Sequence, residues 1–91
     1  MKFEWDEAKH QSNLRKHRLA VAVVATVFAG ATFTFEDNRF DYREDRYITL
    51  GLLREAVVVI AHTEREEVIR VISMRKATKN EQRVYFEGFA D

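Results

Sequence analysis

Three runs rich in β-branched and other apolar residues, 46–53, 56–64 and 68–75, follow one another with only two or three residues between them. Connections that short cannot hold a crossover, so neighbouring runs must pair antiparallel. No other feature narrows the possible folds as much. In the third run, strict alternation puts Ile69, Val71, Ser73 and Arg75 on one face and Val68, Arg70, Ile72 and Met74 on the other. In a regular strand Arg70 and Arg75 therefore point to opposite sides. Either Arg75 turns back at the strand end, or only one of the two serves a common site.

The flanks add helices. Thr78-Lys79-Asn80-Glu81 has the form of a capping box and predicts a final helix to about residue 87. Residues 3–5 form a short candidate strand that feeds a first helix over about 6–17, with Asp6 as N-cap. Val21, Val24, Ala25 and Phe28 recur at helical spacing and predict a second helix over 20–29, closed by Gly30. Residues 32–36 read as a further strand and 37–45 as a polar loop. The expected fold is α+β: an antiparallel sheet of three to four strands, two N-terminal helices and one C-terminal helix. Trp5, Phe28, Ile48, Leu50, Val59, Val71 and Ile72 are the core candidates.

At 91 residues the chain is expected to form a single domain, 1–91, burying about 60–65% of its unfolded surface. With no cysteine it has neither disulfide nor thiolate chemistry, and the expectation is no metal and no cofactor. The charged start argues against a signal peptide. The longest apolar run, 19–29, is too short to span a bilayer. A cytoplasmic location is the expectation. Net charge is zero but unevenly spread. Residues 65–83 carry six cations (Arg65, Arg70, Arg75, Lys76, Lys79, Arg83) against three acids, whereas 36–45 carry five acids against two arginines. A local basic site on a neutral chain suits an enzyme acting on RNA better than a nucleic-acid coat.

Near the start, Lys9, Asn13, Lys16 and His17 fall on one helical stripe. Two cations, an amide and an imidazole there can hold phosphate; the same stripe also suits a plain solvated face. Imidazole titrates near neutrality, which makes His10, His17 and His62 the candidates for proton transfer, and only His17 shares the stripe. Arg70 and Arg75 can grip phosphate bidentately or form salt bridges. The opposite side of helix 20–29 shows Ala22, Val23, Thr26 and Ala29, without a charge. An uncharged outer face predicts an interface with a partner or a second copy; burial within the chain is the rival.

The arrangement F-x-W-D-x-x-K-x-x-x-N-x-x-K-H at 3–17 resembles the BrnT-type toxins of bacterial toxin–antitoxin pairs. Downstream, Arg46-Tyr47-Ile48-Thr49-Leu50-Gly51 is similar to the family's R-[FY]-x-x-x-G strand, and residues 70–78 to its R-I-I-S-A-R-K-A-T segment. Glu81 and Tyr85 match an E-x-x-x-Y in the last helix. After the Lys-His pair the family has Gly, where Arg18 stands here. The resemblance implies a metal-independent ribonuclease with a RelE-like fold, held in check by a DNA-binding antitoxin of the ribbon-helix-helix type. In that reading His17, Arg46, Arg70 and Arg75 are catalytic. Lys9, Lys76 and Lys79 bind RNA phosphates, and Ala22, Val23 and Thr26 meet the partner, in a homodimer or a heterotetramer with antitoxin. The alternative is a non-catalytic module that acts on transcription through a DNA-binding partner.

Overall fold

The computed structural model describes residues 2–5, 14–38 and 45–88, with the backbone alone for 14–20. The order is β1 (Lys2–Trp5), α1 (Leu14–Ala29), β2 (Thr32–Glu36), β3 (Arg46–Leu53), β4 (Ala56–Arg65), β5 (Val68–Lys76) and α2 (Lys79–Glu87). The strands form one five-stranded sheet in the order β1-β5-β4-β3-β2. The hairpins β3–β4 and β4–β5 and the β2–β3 pair are antiparallel, as the short connections require.

Two expectations need correction. The sheet is mixed rather than antiparallel, and it has five strands, because β1 joins β5 in parallel with Phe3 opposite Ile69 and Trp5 opposite Val71. A four-residue segment far from its partner in sequence gives no pairing signal of its own. The expected break between two N-terminal helices near residue 18 is also absent: Leu14–Ala29 is one helix of 16 residues. With Arg18 in place of a glycine, nothing there favours the left-handed backbone of a helix end, so the helix continues. The part of the expected first helix over 6–13 lies outside the described residues. The capping box forms as expected. Thr78 Oγ1 accepts from the Glu81 amide at 3.2 Å, and the Thr78 amide donates to Glu81 Oε1 at 2.9 Å.

Each helix packs on one face of the sheet. Under α1 lie Val58, Ile60, Ile69 and Val71, closed by Val24 and Val27 from the helix, with Phe3, Trp5, Phe28 and Met74 around them. Val27, rather than Ala25, is thus a centre of the helix's inward face. Gly51 is the point of closest approach: a Cβ there would stand 2.5 Å from Val27 Cγ1. The glycine of the Arg46–Gly51 motif therefore has a packing reason. Under α2 lie Leu50, Val57 and Val59 with Tyr85, whose hydroxyl donates to the Ala31 carbonyl at 2.8 Å. Of the core candidates, Leu50, Val59, Val71 and Ile72 are buried, whereas Trp5, Phe28 and Ile48 are partly so.

The β4–β5 ladder holds an irregularity on which the site depends. Ala61 stands opposite Ser73, but His62 stands opposite Val71, so Ile72 is an extra residue in β5. A bulge of one residue exchanges the faces of everything beyond it.

Candidate nucleic-acid interface

Following the register across the strands gives the rows of the α2 face. One row runs Glu4, Arg70, Thr63, Arg46. The next runs Ser73, Ala61, Ile48, Phe35, and the third Arg75, Val59, Leu50, Phe33. Arg70 and Arg75, five residues apart, would point to opposite sides of a regular strand. The bulge at Ile72 brings both to one face, and Arg46 joins them from β3. Two strand spacings separate the Arg46 and Arg70 backbones, about 10 Å. The Arg70 and Arg75 rows are four β4 residues apart, about 13 Å. Alternation alone allows Arg75 to turn back at the strand end or only one arginine to serve the site; the bulge instead brings the two to one face.

Each arginine has a distinct setting. Arg70 is exposed and 3.9 Å from the Glu4 carboxylate, an exposed pair that holds it only loosely. Arg46 is half-buried beside Asp37, whose amide donates to the Arg46 carbonyl at 2.8 Å. Arg75 makes a forked pair with Glu81, 2.7 Å from Nη1 to Oε1 and 2.8 Å from Nη2 to Oε2. These bonds, with help from the Thr78 amide, hold the Glu81 carboxyl at about 2, far below its usual range. Glu81 is therefore a fixed anion at neutral pH and a poor proton acceptor. Arg75 keeps 54% of its side chain exposed. A pocket beside it is lined by Phe35, Glu36, Asp37, Asn38, Ile48, Val59 and Glu81.

The other expected site residues divide. Lys79 is exposed in the first turn of α2. Lys76 pairs with Val58, whose side chain belongs to the α1 core, so Lys76 leaves the sheet on the opposite face from Arg75. His17 lies in the first turns of α1, with its side chain outside the described residues, and Lys9 lies outside them altogether. Ala22 and Thr26 are exposed on α1, with Val23 half-buried; the Thr26 hydroxyl donates to the Ala22 carbonyl at 3.0 Å.

His62 lies on the far side of the sheet and is fully buried. Its Nε2 is 2.7 Å from Thr49 Oγ1, which is 2.7 Å from Thr34 Oγ1. Phe28 meets the ring edge-on at 5.4 Å between centroids, and Tyr47 stacks on it at 5.9 Å. Burial lowers the pKa to about 4, partly offset by the Thr63 backbone, so the imidazole stays neutral. A neutral, sealed histidine serves the core rather than a reacting phosphate.

Comparison with known families decides what this chain belongs to. Residues 5–81 match the family model described as the ribonuclease toxin, BrnT, of type II toxin–antitoxin systems. The chain belongs to the BrnT family. It is thus a ribonuclease toxin of a type II system, and its natural partner is an antitoxin. No curated protein and no solved structure matches it. Three arginines share one sheet face, and guanidinium forks match phosphate oxygens. Among the described residues no group of three or more His, Asp or Glu is placed to hold a metal ion, and no helix is long and apolar enough to cross a membrane.

Proposed function

We propose that this BrnT protein cleaves single-stranded RNA on the α2 face of its sheet by attack of a 2′-hydroxyl on the neighbouring phosphorus, without a metal ion. The observation that carries the reading is the bulge at Ile72, which gathers Arg46, Arg70 and Arg75 on one face. In the reaction the 2′-oxygen loses its proton to a base and bonds to phosphorus. The bond from phosphorus to the 5′-oxygen breaks, and that oxygen takes up a proton. The products are a 2′,3′-cyclic phosphate and a 5′-hydroxyl. Negative charge grows on the non-bridging oxygens in between, and fixed guanidinium groups stabilise it most where no solvent must reorganise. Arg46, Arg70 and Arg75 take this role, and Lys79 holds an adjacent phosphate. His17 enters as the proton-transfer group through the family resemblance; α1 packs on the opposite face of the sheet, so its imidazole has to reach the phosphate around the sheet edge. Lys9 binds RNA phosphate, and Lys76, on the opposite face, does so beyond the reacting phosphate.

The partner is a ribbon-helix-helix antitoxin acting in the cytoplasm. Ala22, Val23 and Thr26 of α1 form part of its contact, or of a homodimer or heterotetramer interface. The uncharged outer side of that helix supports this. Val23→Glu should fold with near-normal stability and lose its oligomer or partner; unfolding would make Val23 a core residue.

For the reaction the test is direct. Purified chain incubated with RNA in EDTA should leave cyclic or 3′-phosphate ends. Strict Mg²⁺ dependence, or intact RNA at high protein concentration, would overturn the mechanism. In cells, expression of the chain alone should stop growth, and Arg70→Ala with Arg75→Ala should relieve it. The RelE-like fold is part of the same proposal, supported by the sheet with its C-terminal capping-box helix.

A further inference from the structure

The row between the arginines differs from those on either side. It runs Ser73, Ala61, Ile48 and Phe35, and it carries no charge. Ser73 and Ala61 are small, which leaves the middle of the face shallow. At its outer end Phe35 is 43% exposed, a large aromatic ring that the core does not use. The ring lies in the lining of the pocket that also takes in Glu36, Asp37, Asn38, Arg75 and Glu81. It is not loose: it sits on a paired strand, opposite Ile48, and Phe33 tilts against it with 6.0 Å between ring centroids.

We infer that this row is a nucleobase subsite in which Phe35 stacks on one base of the single-stranded RNA, next to the reacting phosphate that the arginines hold. The inference rests on the reading of this face as the RNA site and goes beyond it by assigning a residue that recognises the base. Three physical points carry it. A flat sheet bearing an exposed aromatic ring is a platform on which any base can stack, and single strands are bound in this way because their bases are free to be splayed out. The ring is already fixed by its strand, so little ordering is lost on binding. A hydrogen-bonding group stands at the rim, where Asn38 is exposed. Stacking alone tolerates every base, so Asn38, rather than Phe35, sets any preference among bases.

The experiment uses the whole chain and a short 2′-O-methyl RNA, which lacks the nucleophile and stays intact. 2-Aminopurine is placed at each position in turn, so that stacking on the ring quenches its emission. Wild type should quench the probe strongly at one position. Phe35→Tyr should retain the quench; Phe35→Leu should lose it and bind about ten-fold more weakly. Because the ring is exposed, the melting temperature should hardly change. An abasic nucleotide at that position should bind wild type and Phe35→Leu equally. Full quenching and unchanged affinity in Phe35→Leu would overturn the subsite. So would a Phe35→Leu variant that keeps its RNA affinity and loses only the cognate antitoxin, since the ring would then be a protein anchor. Failure of the underlying reading looks different: Arg46→Ala and Arg70→Ala would leave binding of the same oligonucleotide untouched. A wild type that does not bind it at low salt overturns both.

Discussion

The two faces of the sheet are built from the same strands and do opposite work. Facing α1 lie the apolar Val58, Ile60, Ile69 and Val71, and the polar groups among them, Thr49 and His62, are fully buried, with His62 neutral. Facing α2, only half the surface is apolar, where Leu50, Val57 and Val59 meet Tyr85. The other half carries Arg46, Arg70 and Arg75 in a partly exposed field. The difference teaches that residue type alone does not mark chemistry here. His62 on the α1 face is shut in the core under α1, whereas Arg70 and Arg75 on the α2 face meet solvent.

The strongest way to break this division is to cut into the closed face. Ile60 is fully buried under α1. Ile60→Ala should cost about 4 kcal/mol of stability, through lost burial and the cavity left behind. Measured by urea unfolding against cleavage rate per folded molecule, the rate should stay near wild type. A large loss of rate in the folded fraction would show that the two faces are coupled. On the open face the reverse is expected. Arg70→Ala should lower cleavage about 100-fold or more, as removal of a transition-state donor does. Its melting temperature should fall by only a degree or two, since its pair with Glu4 is exposed.

Much of this division was legible in the sequence, and the misses have physical causes. The hairpins were readable because two or three residues admit only an antiparallel return, and α2 because its capping box is local chemistry. The edge strand β1 was readable as a short strand at 3–5, but its place in the sheet was not, since a parallel partner 60-odd residues away leaves no local mark. The common face of Arg70 and Arg75 was hidden for a similar reason. Alternation counts residues, and nothing in Val71-Ile72-Ser73 announces that Ile72 is extra. Arg46 came from family resemblance alone, and the register then set it in the row of Arg70. Phe35 was noticed only as a strand-forming residue; its exposure depends on β2 being the sheet edge. His62 carried no signal of burial beyond its place in an apolar run.

A smaller effect separates the faces by pH. The folded pKa of His62, about 4, lies below its ordinary 6.5. Between those values the unfolded chain takes up a proton that the folded chain refuses. His62 thus leaves stability intact above pH 6.5 and lowers it as pH falls toward 4, by at most roughly 3 kcal/mol. Chemical denaturation at pH 7, 6 and 5 should show the decline, and His62→Gln should flatten it relative to wild type. An unchanged slope in that variant would mean that His62 is not the group responsible.

The smallest effect tests the one arginine that belongs to both halves of the α2 face. Arg75 is held by Glu81 through two short bonds, yet more than half of its side chain meets solvent. Such a pair contributes about 1 kcal/mol, so Arg75→Ala and Glu81→Gln should each lower stability at pH 7 by about that amount. The folded pKa of Glu81 is depressed to about 2, so its contribution is complete above 4.5 and fades as pH falls toward 2. Stability therefore treats the two substitutions alike, and rate is what divides them. If Arg75 touches the reacting phosphate, Arg75→Ala loses cleavage steeply, Arg75→Lys restores little because the fork is gone, and Glu81→Gln keeps most of the rate. If both variants lose rate equally, Arg75 is a positioning residue that acts by seating α2. If neither loses rate, the pair is a structural clasp, and the cationic site contracts to the row of Arg46 and Arg70, where β3 and β5 flank Thr63.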